Sequence, residues 1–191
     1  MGARPRSATT DDLAAAADTL AEAFDDYPWT RHVLPEDDYA ARLHALQLLY
    51  LQHAHEHGIV AVAGDVDAVV ALLPPDAPDP APAVVERVVE LHGDRVDRLE
   101  HRPPPARAWR LETLGVRPAH QGRGLASALL AHALAEVARR GGHEVVLETS
   151  APRNVRLYER HGFEVTGRAG GTDAPAVWSM STAPAAAQTS S

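Results

Sequence analysis

No cysteine occurs in the 191 residues. That excludes disulfides, thiolate metal sites and a cysteine acyl-enzyme, so any group transfer here goes directly or through another nucleophile. Lysine is absent too, and all 18 basic side chains are arginine. A phosphate loop ending in Gly-Lys-Ser/Thr is therefore excluded. No apolar run reaches the eighteen or so residues that a membrane-spanning helix needs, and no leader pattern opens the chain. A net charge of −8 disfavours nucleic acid and anionic membranes and suits a cationic or amine ligand. The expectation is a soluble, cytoplasmic protein with one domain over 1–181 and a small, polar tail over 182–191. It is expected to have no nucleic-acid or membrane partner, and monomer and homodimer both stay open.

Spacing lays out the first half. Residues 4–8 read as a short strand, and Thr9 with Asp12 as a capping-box start. Leu13, Ala17, Leu20 and Phe24 then share a helical face. Asp25-Asp26-Tyr27-Pro28-Trp29 breaks that helix, and Pro35 is expected to open a second one with Tyr39, Leu43, Leu46 and Tyr50 inward. The break is either an ordinary turn with solvated charges or a binding-site wall. Of His53, His55 and His57 only the first and last share a face, with Glu56 alone beside them. A solvated helix end is expected there and no metal. Two β-branched runs, 58–63 and 66–73, flank Gly64-Asp65 as a hairpin. Proline-rich connectors at 74–82 and 101–105 enclose a helical pattern at Val85, Val88, His92, Val96 and Leu99.

The stretch 109–130 reads as a strand, a glycine turn and a helix. Alternation puts Glu112, Leu114 and Val116 on one strand face and Leu111, Thr113 and Gly115 on the other. The turn Gln121-Gly122-Arg123-Gly124-Leu125-Ala126 feeds a helix whose apolar stripe runs from Ala126 to Val137. Backbone N–H groups at such a helix start, with the positive end of the dipole behind them, form an anion site suited to a pyrophosphate. A dinucleotide fingerprint fails because Ser127 stands where its last glycine would be. Beyond the stop at Arg139-Arg140-Gly141-Gly142 come a strand at 144–149 and a short helix from Pro152 carrying Asn154, Tyr158 and His161. Gly162 closes it, and the last strands are 163–165 and 176–181. A meander followed by strand–helix–strand–helix–strand spells a mixed α/β sheet.

Gln121-x-x-Gly124-x-Ala126 resembles the acyl-CoA turn of the GNAT N-acetyltransferases. Asn154-x-x-x-Tyr158-x-x-x-Gly162-Phe163 resembles their closing motif, in the right order. Within that family, 147–154 with Tyr158-Glu159-Arg160, the run from Ala23 to His32, and Trp178-x-Met180 resemble the puromycin N-acetyltransferases. The likeness covers most of the chain and is weakest over 58–107. It implies a GNAT fold: a mixed central sheet splayed between the acyl-CoA strand and the next, with helices on both faces. It implies acetyl transfer from acetyl-CoA to a primary amine of a small molecule by direct attack in a ternary complex, without a metal. An aminonucleoside antibiotic, hence antibiotic resistance, is one such acceptor. A protein Nα-acetyltransferase and a non-catalytic acyl-CoA-binding module are the alternatives.

The roles that the resemblance implies are specific. Backbone groups of Leu114, Gly115 and Val116 pair with pantetheine. Gln121 and the N–H groups of Gly122, Arg123, Gly124, Leu125 and Ala126 hold the pyrophosphate. Asn154 bonds the cofactor, Tyr158 reaches the sulfur as acid, and Tyr27 and Trp29 line the acceptor pocket. The residues permit this: a tyrosine near pKa 10 protonates a thiolate near 8.5 only mildly uphill. An alkyl amine near 10.4 must first lose a proton. Glu112 and Glu148, each in an otherwise apolar strand, are the candidates for base or ammonium anchor. A salt bridge to arginine is the other reading of each. Glu112 departs from the puromycin-type pattern, which carries a small apolar residue there.

Overall fold

The computed structural model describes residues 4–99 and 107–182. The expected connector at 101–105 and the tail beyond Thr182 lie outside the described residues. One mixed sheet is built from β1 (Arg6–Ser7), β2 (Ile59–Ala63), β3 (Ala68–Leu73), β4 (Trp109–Val116), β5 (Val145–Thr149), β6 (Phe163–Ala169) and β7 (Val177–Thr182). Its order is β1-β2-β3-β4-β5-β7-β6, and of its neighbouring pairs β4–β5 is parallel and the others antiparallel. The helices are α1 (Leu13–Phe24), α2 (Pro28–Val33), α3 (Tyr39–His57), α4 (Pro82–His92), α5 (Leu125–Arg139) and α6 (Pro152–Glu159). No helix among the described residues is long and apolar enough to cross a membrane.

Every residue of β2 and β3 is buried because helices cover both faces. Val60, Val62, Val69 and Ala71 meet Leu13, Ala17 and Leu20 of α1 and Leu51 of α3. Ala61, Val70 and Leu72 meet Leu129, Leu130 and Ala133 of α5. The expected mixed sheet with helices on both faces is therefore what the chain forms. The seam between α3 and β2 is tight at Gly58, where an added Cβ would lie 2.1 Å from the Leu72 carbonyl oxygen. That oxygen belongs to a central strand and cannot yield. Gly58→Ala is expected to cost about 2 kcal/mol or more, a fall in Tm of about 4–8 °C in a thermal melt.

Several local expectations are corrected. Pro28, not Pro35, takes the first position of the next helix, and α3 begins only at Tyr39, after Asp38 at φ 51°. The reason is the hydroxyl of Thr30, which donates to the carbonyls of Phe24 and Tyr27 at 2.9 and 3.0 Å and accepts from Tyr39 Oη at 2.9 Å. These bonds fold the helix break into α2. The β2–β3 connection is longer than Gly64-Asp65: Val66 takes φ 57° and Thr19 Oγ1 donates to its carbonyl at 2.5 Å. β6 runs on to Ala169, and β7 reaches Thr182, which the sequence pattern placed in the tail.

The correction that matters most lies in β4. Thr113 pairs with Ala71 and Leu111 with Leu72, so Glu112 is the extra residue of a β-bulge. The bulge breaks the alternation. Leu111 shares the α5 side with Leu114 and Val116. Thr113 and Gly115 face the α1–α3 side, where a Cβ on Gly115 would lie 2.7 Å from Leu20 Cδ2. Glu112 is re-aimed toward that second side, beside Arg110 and Tyr50.

Candidate active site

β4 and β5 pair only at Trp109–Val145 and Arg110–Val146 and then diverge. Past that point β4 keeps β3 and β5 keeps β7, and the sheet opens between them. Leu114, Gly115 and Val116 therefore have backbone groups on the β5 side with no strand to pair with. At the end of β4 the short Pro118–His120 turn leads into the glycine segment, which Gln121 ties down by donating from Nε2 to the Val116 carbonyl at 3.1 Å.

Gly122 and Gly124 stand at φ 75° and 80°, and a Cβ on either would meet nothing within 4 Å. Backbone conformation selects glycine here, and the space outside the turn is open. Leu125 is buried in the core and fixes the direction of α5, with Arg123 exposed and Ala126 half-buried. Ala128 N–H makes its bond back to the Gly124 carbonyl, so the N–H groups before it have no i−4 partner within the helix. Open strand backbone plus a donor-rich turn fits an acyl-CoA with its pantetheine in the splay and its pyrophosphate at the turn.

On the α1–α3 side, the opening leads into a cavity of about 660 Å³ whose lining includes Tyr27, Trp29, Tyr50, Glu112, Glu148 and Tyr158. α6 begins with Pro152 at its first turn, and Asn154 and Tyr158 fall one turn apart on one face. Asn154 Nδ2 donates to Thr149 Oγ1 at 3.3 Å. The Tyr158 ring is 5 % exposed, edge-on to Phe163 at 5.6 Å. Its burial, helped by the neighbouring Tyr27, raises its pKa above the ordinary phenol value, so it holds its proton.

The helix break forms the opposite wall. Tyr27 Oη accepts from Ser150 N–H at 2.7 Å and shares a hydrogen bond with Thr149 Oγ1 at 3.0 Å. Trp29 N–H donates to Ser150 Oγ at 3.2 Å. The break is thus fastened to the C-terminal end of β5, across the chain from where it begins.

Glu112 lies 3.0 Å from Arg110 Nε with its side chain 29 % exposed. Water reaches it through the cavity, yet protein surrounds it on most sides. Burial raises its pKa above the ordinary carboxylate value, and Arg110 offsets this only in part. Tyr50 lines the cavity beside it, and the Glu112 charge acts to raise the phenol's pKa. Glu148 lines the same cavity and accepts from Ser179 Oγ at 3.2 Å. Both carboxylates therefore meet in one cavity, with the bulge responsible for Glu112.

Sequence reasoning missed Gln47, His92 and Thr113, all buried and all lining this cavity. The signal available for Gln47 was a polar residue in the inward stripe of α3, beside Leu46 and one turn before Tyr50. The His53 and His57 rings meet at a 60° tilt, 4.8 Å between centroids, at the end of α3. No group of three His, Cys, Asp or Glu among the described residues is arranged to hold a metal ion.

Residues 17–163 match the acetyltransferase (GNAT) family. A solved structure from Corynebacterium glutamicum, described as histone acetyltransferase HPA2 and related acetyltransferase, is 28 % identical over 97 % of this chain and 98 % of that one, at a TM-score of 0.78. A Salmonella typhimurium protein solved with its cofactor acetyl-CoA shares the fold at 20 % identity and a TM-score of 0.57, over 95 % of this chain and 93 % of that one. The chain belongs to the acetyltransferase (GNAT) family and is an acetyl-CoA-dependent N-acetyltransferase.

Proposed function

We propose that the chain acetylates the primary amine of a small, largely apolar molecule, of which an aminonucleoside such as puromycin is one example. The observation that carries this reading is the cavity wall, in which the carboxylates of Glu112 and Glu148 stand amid aromatic side chains. A carboxylate suits an ammonium, and Tyr27, Trp29 and Tyr50 suit an apolar body.

Acetyl-CoA supplies the activated thioester. The free backbone of Leu114, Gly115 and Val116 would hold its pantetheine arm. Gln121 and the donors of Gly122, Arg123, Gly124, Leu125 and Ala126 would hold its pyrophosphate, with Asn154 bonding the arm between. Glu148 anchors the incoming ammonium. Glu112 takes the proton that the nitrogen must lose, and its raised pKa makes it a better base than an ordinary glutamate. A C–N bond forms as the C–S bond breaks. Tyr158 donates to the departing sulfur; because its pKa is raised, it acts first as a hydrogen-bond donor and gives up its proton only as thiolate charge develops.

The test is release of CoA thiol from acetyl-CoA across a panel of small amines that includes puromycin and short peptides with free α-amines. Amine-dependent release with one or more small amines is expected. Release with peptides alone would transfer the assignment to a protein Nα-acetyltransferase, for which Glu112 departing from the puromycin-type pattern leaves room. Release independent of any amine would overturn the proposal.

A further inference from the structure

Part of the cavity wall lies beyond anything needed to deprotonate an amine. Gln47 is 6 % exposed and its Oε1 has no hydrogen-bond partner; the Thr113 hydroxyl, in a side chain equally buried, also has none. Buried polar groups in folded proteins are nearly always paired, so two orphans lining one cavity call for a cause. His92 lines it too, at 1 % exposure. Its Nδ1 lies 2.7 Å from the Val88 carbonyl. A carbonyl only accepts, so Nδ1 carries the hydrogen, and burial lowers the pKa of the ring and keeps it neutral. That leaves Nε2 as a lone-pair acceptor. Val33, Leu46 and Leu99 fill the wall around Gln47 and His92 with apolar surface.

We propose that Gln47 and His92 form a second subsite of the acceptor cavity, one that accepts hydrogen bonds from a neutral hydroxyl or N–H group of the molecule whose amine is acetylated. This rests on the small-amine reading above and narrows it. Gln47 lies three residues before Tyr50 on α3, and Tyr50 adjoins Glu112. Gln47 therefore stands about one helical turn, ~5 Å, along α3 from the tyrosine beside the carboxylate that takes the amine's proton. The substrate class is a monoamine with an apolar or aromatic body and a neutral hydrogen-bond donor at its far end. A site whose acceptors are left unpaired by a donorless analogue discriminates far more strongly than one that loses only apolar contact.

The test uses the full chain with CoA present and three probes: 2-phenylethylamine and its 3-hydroxy and 4-hydroxy derivatives, with affinities from titration calorimetry. One of the hydroxylated amines is expected to bind about 10-fold tighter than the parent. In Gln47→Met and in His92→Leu, each shown to be folded by its thermal melt, that ratio should fall toward one. Equal affinities in the unaltered protein, which need no variant, overturn the subsite; so does failure of all three probes to bind, or a ratio that neither variant changes. CoA release with the same probes separates the two ideas. Preferential binding without CoA release keeps the subsite and removes small-amine acetylation. Release without preference does the opposite.

Discussion

Replacing Tyr158 by phenylalanine is expected to lower kcat by about 10²–10⁴-fold while the Kd for acetyl-CoA moves less than about threefold. The ring packs edge-on to Phe163 in the core, and phenylalanine keeps that packing, so the loss isolates the hydroxyl. The Tyr27 hydroxyl is already engaged by Ser150 N–H and Thr149 Oγ1. Burial raises the Tyr158 pKa, so its proton stays in place throughout the working range. The kcat profile of the unaltered enzyme should therefore show no alkaline limb due to Tyr158 below about pH 10. Single-turnover kinetics at saturating acetyl-CoA, alongside equilibrium binding, provide the check. A Tyr158→Phe enzyme retaining more than about a fifth of wild-type kcat would remove Tyr158 from the chemistry.

The parts of this site that were legible in the sequence are those written in consecutive residues. Gln121, Gly122 and Gly124 are read off because two left-handed backbone positions, two residues apart just before an open helix start, demand glycine. Asn154 and Tyr158 are read off because four residues make one helical turn. What could not be read depends on how distant segments meet. The bulge at Glu112 inverts the strand faces, and no local feature marks it, since Leu111-Glu112-Thr113-Leu114 alternates as well as an unbroken strand would. Pro28 and Pro35 are equally good helix starts, and the choice falls to Thr30 and Tyr39, whose hydroxyls meet only in the folded chain. The insertion of β7 between β5 and β6 leaves no trace in the order of elements along the sequence.

The same distinction explains why the acceptor side was harder to read than the cofactor side. The proposed cofactor site is made of one strand, one turn and one helix that follow each other. The cavity proposed for the acceptor is lined from α1, α2, α3, α4 and α6, the bulged strand, β5, β6 and β7. Gln47, Tyr50 and His92 sit at helix positions that an apolar core residue could equally fill. A helical stripe shows which side of a helix turns inward; it carries no information on whether the neighbour is another side chain or a cavity.

Replacing Glu112 by glutamine is expected to make the protein more stable and less active, a combination that a structural salt bridge would not produce. The sign follows from burial. In the folded chain the Glu112 carboxyl has a pKa above its ordinary value of 4.5, despite Arg110 at 3.0 Å. Between 4.5 and the raised value the folded state holds a proton that the unfolded state has released. Stability contributed by this group is therefore present below 4.5 and is lost as pH rises through that window. Glutamine has no proton to lose and keeps the neutral shape. Glu112→Gln should then melt at a higher temperature than the unaltered protein at pH 7–8, with the gap closing below about pH 4.5. Activity moves the other way. The acid limb of wild-type kcat/KM, where activity rises as Glu112 ionises, should disappear in the variant, and kcat/KM at neutral pH should fall by about 10²-fold. Melts across pH and a kcat/KM profile with one amine suffice. A variant that melts lower at pH 8 and keeps its acid limb would return Glu112 to the role of partner for Arg110, and the proton would have to leave the amine by way of Glu148 or water.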